Sequence, residues 1–397
     1  MTGWVAEVAG PLCGLRVAVC GTGPAVRYAG RLLASLGAVT DCGDQGWREV
    51  DGIIDATGSV PSIVDGVVVR TVDTTAAEDW ASSGAMLLTG RADGPPLRCP
   101  GRPASVAWGA LLATELLARL GGRDVLLPGP RVLAERAAIA GFSRRAPVSA
   151  DGTFVAPSVK PGKPGWPIVL NGHERRASRV DHLPAVPPRR LRLAPTLVVD
   201  LSTGWAGALC GHLLTLVGAR VIRVESSAEP GEFRDLLHAG QESVALRGEQ
   251  LTRLLARADV VLDDSGRPRG EAACWVRIGQ GSGDAAAAEA GLVAFDAEAG
   301  VPAPCGDAIA EPLAGVHAAL TALACRLGGG RWFAELSLRA AAAAALDGAL
   351  EPGPCPAPAP PVARRPAGRA PAPGADTARV ARELGLAAPT APPPAGA

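Results

Sequence analysis

Lysine, tyrosine and methionine are scarce in this chain of 397 residues, and aromatic residues make up only 4% of it. Lys160 and Lys163 are the only lysines, and 39 basic side chains balance 39 acidic ones, so the formal net charge is zero. Without a basic excess the chain has no general attraction for phosphates. We therefore expect neither nucleic acid nor an anionic membrane surface as a partner.

Metal-ligand spacings are also missing from the sequence. The nine cysteines include no C-x-x-C pair, and the five histidines do not cluster with them. We predict no metal site and no disulfide framework, and we expect reduced thiols in a cytoplasmic protein. The longest charge-free apolar stretch, residues 201–219, contains four glycines and several polar residues, which disfavours a membrane span.

An internal repeat is the strongest pattern that the sequence does contain. Each copy has the form of a buried strand, a glycine-containing turn and a helix with small residues on its surface. Three pairs of segments follow one another in the same order, namely 15–38 with 196–219, 51–58 with 259–266, and 110–122 with 318–330. The sequence therefore predicts an α/β protein with two tandem Rossmann-like units and parallel sheets. Chance similarity between segments rich in alanine, glycine and leucine is the alternative interpretation.

These patterns divide the chain into four parts. Unit 1, residues 1–149, is a degenerate α/β unit, and unit 2, residues 195–350, is a second and more complete one. Residues 150–194 are predicted to be a connector or a reduced small domain between them. Residues 351–397 form a proline-rich tail that includes one short predicted helix.

Unit 2 is predicted to carry the functional site. The offset between the repeats grows from 181 to 208, so unit 2 has 27 residues more than unit 1, placed after Val224. In open α/β sheets the loops at the carboxyl ends of the strands form the ligand crevice. We therefore expect residues 225–245 and residues 306–317 to line one shared crevice.

The turn Gly21-Thr22-Gly23 follows a predicted strand and opens a helix, an arrangement typical of dinucleotide-binding proteins. The full G-x-G-x-x-G pattern requires glycine at position 26, where this chain has Val26. A generic nucleotide-binding protein is therefore a disfavoured alternative.

Unit 2 also contains several motifs that resemble those of one known protein family. Residues 200–225 read DLSTGWAGALCGHLLTLVGARVIRVE, and PGEFR follows at 230–234. This run resembles the opening signature of the family III CoA-transferases, which include formyl-CoA transferase and α-methylacyl-CoA racemase. ADVVLDDS at 258–265 is similar to the family's strand with an acidic turn, and GDAIAEPLAGVHAALTAL at 306–323 to its catalytic segment. GRAPAPGADTARVARELGL at 368–386 looks like the family's C-terminal segment.

The resemblance implies an acyl-CoA:carboxylate CoA-transferase, which acts on an acyl-CoA and a carboxylic acid without a permanently bound cofactor. It also implies a homodimer. In this family an aspartate attacks the thioester and forms an anhydride, which CoA then converts into an enzyme-bound thioester. The nucleophile stands four residues before a glycine and six before the helix-entry residue. Counting back from Gly315 and His317 gives Glu311, and Asp307 is the nearby alternative.

The resemblance further implies a set of residues that contact CoA. Arg223 and Arg234 are expected to meet its phosphates, with simple solvation at the surface as the alternative. Trp205 is expected either to stack on the adenine or to pack over the end of the sheet. The complete predicted CoA-binding set is Trp205, Ala206, Arg223, Glu225, Arg234 and Asp264.

Departures from the family pattern support a second hypothesis. Glu311 stands where the family has aspartate, and Ala239–Ser243 replaces a run that usually carries two basic residues. The alternative is therefore a weak or inactive family member that binds CoA esters or serves as a structural partner. In unit 1 the position equivalent to Glu311 is Ala104, so that unit is expected to be structural.

Overall fold

The architecture is α/β, with two parallel sheets that follow one another along the chain. The computed structural model describes residues 10–41, 50–61, 66–90, 94–141, 168–174, 195–225, 227, 230–268, 270–298, 300–346 and 356–386. For residues 168–174 the backbone alone is described. Within the described helices, none is long and apolar enough to cross a bilayer.

Unit 1 is built on a four-stranded parallel sheet. Its strands run in the order β2-β1-β3-β4, and helix α3 is almost entirely buried. The elements are β1 (Arg16–Cys20), α1 (Pro24–Ser35), β2 (Val39–Asp41), β3 (Gly52–Asp55), β4 (Val67–Arg70), α2 (Ala76–Ser82), α3 (Pro103–Leu120) and α4 (Glu135–Ile139).

Between the units lies β5 (Ile168–Glu174), the described part of the predicted connector. It pairs antiparallel with the last strand of unit 2 and forms the edge of that sheet. The elements of unit 2 and the tail are β6 (Leu197–Asp200), α5 (Trp205–Leu216), β7 (Arg220–Val224), α6 (Glu232–His238), β8 (Glu242–Val244), α7 (Gly248–Arg257), β9 (Val260–Asp263), β10 (Cys274–Ile278), α8 (Gly283–Ala290), β11 (Val293–Asp296), β12 (Val301–Pro304), α9 (Ala310–Gly328), β13 (Arg331–Leu336), α10 (Leu338–Ala344) and α11 (Thr377–Glu383).

The sheet of unit 2 has six parallel strands, with β5 added at one edge. Its order is β5-β13-β10-β9-β6-β7-β8, while β11 and β12 form a separate antiparallel pair. The segment that unit 2 has in addition to unit 1, after β7, contains helices α6 and α7 and strand β8.

The two units repeat the same arrangement, as the sequence predicts. The order β2-β1-β3-β4 corresponds to β7-β6-β9-β10. Helices α1 and α5 have the same length and are separated by the predicted offset of 181, and β3 and β9 by 208. In both units the backbone N–H that opens the first strand donates over 2.8 Å to an aspartate, from Arg16 to Asp51 just before β3 and from Leu197 to Asp259 just before β9.

Helices α3 and α9 pack against each other and join the two units. A buried hydrogen bond of 2.8 Å links Tyr28 Oη of α1 to His317 Nε2 of α9. Because His317 Nδ1 contacts the carbonyl oxygen of Leu313 at 2.6 Å, Nδ1 carries the proton and Nε2 accepts from the tyrosine. The contact between the units is therefore largely apolar, and this hydrogen bond is one of its buried polar links.

The proline-rich tail crosses both units. Arg364 donates to both carboxylate oxygens of Glu135 in unit 1, and its Nη1 contacts His212 Nε2 of unit 2 at 2.9 Å. Farther on, Asp376 accepts the N–H of Ser243 at 2.9 Å, which fixes α11 beside strand β8. The short tail helix that the sequence predicts is confirmed.

Candidate functional site

One cleft opens at the carboxyl ends of the unit 2 strands. Its volume is about 290 Å³, and its walls come from the segments after β6, β9 and β10 and from the first turns of α9 and α10. This edge is where open α/β sheets bind their ligands. A volume near 300 Å³ lies at the lower end of the range for small-molecule sites.

The first turn of α5 gathers two carboxylates at the floor of the cleft. Asp264 Oδ2 accepts the N–H of Thr203 at 2.7 Å and that of Gly204 at 3.0 Å. Glu311 Oε2 accepts the next N–H, that of Trp205, at 2.8 Å. Three successive amides at a helix N-terminus therefore hold two acidic side chains, as the positive end of the helix dipole favours.

Glu311 belongs to the first turn of α9 and lies half-buried in the cleft wall. Burial raises the pKa of its carboxyl above the usual value, while the N–H groups of Trp205 and Ala206 act in the opposite direction. Arg136 attracts Glu311 through space, but its own ion pair is with Asp307. The Glu311 carboxylate is thus held by amides at the edge of open space.

A glycine-rich loop forms the facing wall. Gly279, Gln280 and Gly281 follow β10, and Ile278 and Leu338 provide apolar surface beside them. This loop is not among the site residues that the sequence predicts. The signal that was present is a pair of glycines directly after a buried parallel strand, where a turn must bring backbone close to a ligand.

Asp307, the alternative nucleophile, is buried in an ion pair. Both of its carboxylate oxygens accept from Arg136, at 2.7 and 2.8 Å, and the residue is only 4% exposed. Arg136 belongs to α4, so the pair connects unit 1 to the turn that precedes α9. This bidentate geometry favours a structural role for Asp307.

The ring of Trp205 is packed between the units. The Arg136 guanidinium lies 4.5 Å above the ring centroid, and Phe233 meets the ring edge-on at 5.5 Å. The side chain is buried, so its surroundings favour the packing alternative over stacking on adenine. Its backbone N–H is the part that reaches Glu311.

The predicted phosphate-binding arginines form an ion-pair network with acidic side chains. Arg223 contacts Asp200 at 2.7 Å and Glu225 at 3.5 Å, and Arg234 donates to both oxygens of Glu225. Burial alone would raise the pKa of Glu225, but the hydrogen bonds from Arg234 and Ser243 hold it below its usual value. These cations are therefore paired within the protein.

The structure divides the predicted site residues into two groups. Near the cleft lie Glu311 and Asp264 with the backbone of Trp205 and Ala206, and Asp307 lies in the turn that precedes α9. The second group is the network of Arg223, Glu225 and Arg234. The expectation that 225–245 and 306–317 share one crevice is not met by this cleft, because its lining includes Glu311 and no described residue of 225–245.

In unit 1 the N-terminus of α1, which corresponds to that of α5, is bound by an aspartate side chain of the same unit. Asp73, from the loop after β4, accepts the N–H of Thr22 at 2.7 Å and that of Gly23 at 2.9 Å. Those are the amides that a dinucleotide phosphate would need in the Gly21-Thr22-Gly23 turn. The occupation by Asp73 adds to the sequence argument against nucleotide binding there.

The fold and the site together define an α/β protein with Rossmann-like parallel sheets and a polar cleft at their carboxyl edge. No model of a known protein family matches the chain, and no curated protein matches it. Two crystal structures of a hypothetical protein from Mycobacterium tuberculosis (Rv3272), one of them an orthorhombic form, resemble it over 37% of its length, with 24% and 23% identity and TM-scores of 0.32 and 0.33. The chain spans about half of that protein, 54% and 55% in the two comparisons. This likeness is distant and partial.

Proposed function

We propose that this protein transfers CoA from an acyl-CoA to a carboxylic acid, with Glu311 as the nucleophile. One observation carries the proposal: a half-buried carboxylate, hydrogen-bonded at 2.8 Å to the first turn of α5, borders a cleft of about 290 Å³. The resemblance of residues 306–323 to the catalytic segment of family III CoA-transferases supports the same residue.

The transfer needs four balanced steps. The Glu311 carboxylate attacks the thioester carbonyl carbon, the C–S bond breaks, and CoA leaves as a thiolate. The thiolate then attacks the Glu311 carbonyl carbon of the resulting anhydride, which releases the first acid and forms a glutamyl-CoA thioester. The acceptor carboxylate attacks that thioester to give a second anhydride and CoA thiolate. Attack of the thiolate on the acceptor's acyl carbon releases the product and restores Glu311.

The surroundings of Glu311 suit these steps. Burial raises its pKa, and a more basic carboxylate is a better nucleophile when ionised. When a thiolate adds to the Glu311 carbonyl carbon, negative charge develops on its oxygens, and the N–H groups of Trp205 and Ala206 are placed to stabilise it. Both donors are backbone groups of a buried helix, so they need no reorganisation.

A second candidate function is the binding of CoA esters without turnover. The observation that favours it is the carboxylate of Asp264 in the same cleft, which disfavours an incoming carboxylic acid because two like charges would be desolvated side by side. The internal pairing of Arg223 and Arg234 removes the expected phosphate contacts for either function.

Isotope exchange tests the proposal. The protein is incubated with acetyl-, propionyl- or succinyl-CoA and a ¹³C-labelled free acid, and label in the CoA ester is measured by mass spectrometry. Borohydride reduction of the acyl-CoA incubation should leave a modified peptide that contains Glu311. We expect Glu311→Gln to lower exchange by at least about a thousandfold. Glu249→Gln, a change on the exposed face of α7, is the matched control.

The outcomes separate the two candidates. Exchange that depends on Glu311 supports the transferase. CoA-ester binding by calorimetry with no exchange and no adduct would favour the binding function. Full exchange in Glu311→Gln would contradict the role of Glu311.

A further inference from the structure

The turn that leads into α9 contains an unusual backbone conformation. Ala308 has φ of +46°, the left-handed region, which side chains with a Cβ rarely adopt. Among the described residues it is the one non-glycine with positive φ. The Ala308 carbonyl accepts the N–H of Glu311 at 2.9 Å, so this strained residue sets the start of the helix that presents the carboxylate. Backbone strain of this kind persists only where neighbouring groups fix it.

The neighbouring group is the first turn of α8. Asp284 Oδ1 accepts the N–H of Ala308 at 2.9 Å. Beside it, Gly283 packs so closely that a Cβ there would lie 2.4 Å from the Ala308 carbonyl oxygen and 3.0 Å from Glu311 Cγ. The hydrogen bond and the close packing together hold the Ala308 turn against α8.

Unit 1 lacks the corresponding features. At the offset of 207, Glu311 corresponds to Ala104, Asp284 to Ala77 and Gly283 to Ala76. The support on α8 is thus present in the unit that has the carboxylate and missing in the unit that does not. A purely structural need of the shared fold would apply to both units.

From these contacts we infer that Asp284 is a positioning residue for Glu311: its hydrogen bond to Ala308 keeps the turn in the left-handed conformation that aims the Glu311 carboxylate into the cleft. The effect on catalysis rests on the proposed function. The effect on the position of the carboxylate does not.

Charged groups surround Glu311, so its protonation can be measured without any catalytic turnover. The facing groups are Arg136 of α4, Asp264 after β9, Asp284 of α8 and Asp307 in the preceding turn. Arg136 lowers the pKa of Glu311, whereas the negative charge of Asp284 raises it. Removal of the Asp284 charge should therefore lower the pKa of Glu311.

Carboxyl labelling measures this pKa without a substrate. The full chain is treated with a water-soluble carbodiimide and methylamine across pH 4–7.5, and modification of the Glu311 peptide is quantified by mass spectrometry. Asp284→Asn keeps an oxygen that can accept from Ala308 but removes the charge, and Asp284→Ala removes both. Both variants should lower the labelling midpoint because both lose the charge, but only Asp284→Ala loses the acceptor, so only it should also change the extent to which Glu311 is labelled. Glu249→Gln, which changes an exposed charge on α7, should leave both quantities unchanged.

A rescue variant separates positioning from general damage. Where exchange activity is present, Asp284→Ala should lower kcat by at least about tenfold, because a misplaced nucleophile reacts slowly. Glycine adopts positive φ without strain, so the added change Ala308→Gly should restore most of that loss.

Equal extents of Glu311 labelling in Asp284→Ala and Asp284→Asn would overturn the inference, as would a loss of kcat that Ala308→Gly does not restore. A labelling extent that changes in Asp284→Ala and returns with Ala308→Gly, in a protein without exchange activity, would leave the positioning role standing and refute the transferase. If Asp284→Ala does not fold, the double variant Asp284→Ala with Ala308→Gly takes its place, and a labelling extent that stays changed there would overturn the inference.

Discussion

Units 1 and 2 share the order of four strands, the length of their first helix and even the aspartate that caps the first strand, yet they differ where a site can form. In unit 1 the α1 terminus is bound by Asp73, and the first turn of α3 contains the fully buried Ala104. In unit 2 the equivalent α5 amides hold Asp264 and Glu311, and α9 begins at an open cleft. The repeated frame provides stability, and a few substitutions in its loops decide whether a cleft is available.

The comparison also shows how one structural demand is met in two ways. Amides at a helix N-terminus need acceptors, and each unit provides an aspartate for them. Asp73 comes from the loop after β4, but Asp264 comes from the loop after β9, which corresponds to β3. Because Asp264 reaches the amides from another strand, the loop after β10 is left to form a cleft wall.

Acid pH should produce the largest difference in stability between the two units, because His212, His238 and His317 all belong to unit 2. Burial lowers the pKa of His212 and His317 to about 4 and that of His238 to about 3. Each folded-state pKa lies below the unfolded value near 6.5, so the unfolded chain binds more protons as the pH falls from 6.5 toward 4. Each histidine should then remove about 1.4 kcal/mol of stability per pH unit within that window.

Hydrogen exchange and urea unfolding at pH 7 and pH 5 check this expectation. Amides of unit 2 should lose protection before those of unit 1, since residues 1–149 contain no histidine. A His238→Gln variant should show a shallower dependence on pH. A free energy of unfolding that stays constant from pH 7 to pH 4.5 would contradict the prediction.

Two single substitutions, Ala104→Glu and Glu311→Ala, test whether a carboxylate is tolerated at this helix position in only one unit. Ala104→Glu places a charge in a fully buried position of unit 1 and should lower the free energy of unfolding by about 3–5 kcal/mol. Glu311→Ala removes a half-buried carboxylate beside open space and should change it by less than about 1 kcal/mol. Urea unfolding followed by circular dichroism measures both, and equal losses would show that the two positions are alike.

Helix α8 packs closely against the Ala308 turn, and a pair of matched substitutions in α8 and α2 tests this contact with smaller expected effects. Gly283→Ala introduces a Cβ 2.4 Å from the Ala308 carbonyl oxygen and should cost about 1–3 kcal/mol through the required backbone shift. Ala76→Gly at the equivalent place in unit 1 should cost less than about 1 kcal/mol, the helix propensity difference. Thermal unfolding compares the two variants, and the idea fails if Gly283→Ala proves the milder one.

The smallest effects should come from the two aspartates at the helix termini. Asp73→Ala and Asp264→Ala each remove an acceptor from two backbone amides and a threonine hydroxyl, and each should cost about 1 kcal/mol, the usual value of a helix cap. Asp264→Ala should in addition lower the labelling midpoint of Glu311, because a neighbouring negative charge is lost. An unchanged midpoint would show that the two carboxylates do not interact.

Much of the fold could be predicted from the sequence because its signals are local. The apolar strands, the glycine turns and the small residues of α1 and α5 recur at fixed offsets, and those offsets locate α3 and α9 correctly. The short helix of the tail was predictable for the same reason. The candidate role of Glu311 came from the resemblance of residues 306–323 to a family's catalytic segment, and it stays a prediction.

Contacts between distant parts of the chain were not predictable in this way. Asp307 looked like an alternative nucleophile, but Arg136, 171 residues away, binds both of its oxygens. Arg223 and Arg234 looked like phosphate ligands, but acidic side chains within the protein pair with them. A charged side chain in a sequence gives no sign of whether its partner will be a ligand or another residue.

The sequence by itself determined two α/β repeats and the placement of their helices, since strand and helix periodicity depend on near neighbours. Only the tertiary structure decided which carboxylates take the amides of α5, which cations are already paired, and that Asp284 supports the turn before Glu311. Those choices depend on distances across the sheet edge, and such distances exist only after the chain has folded.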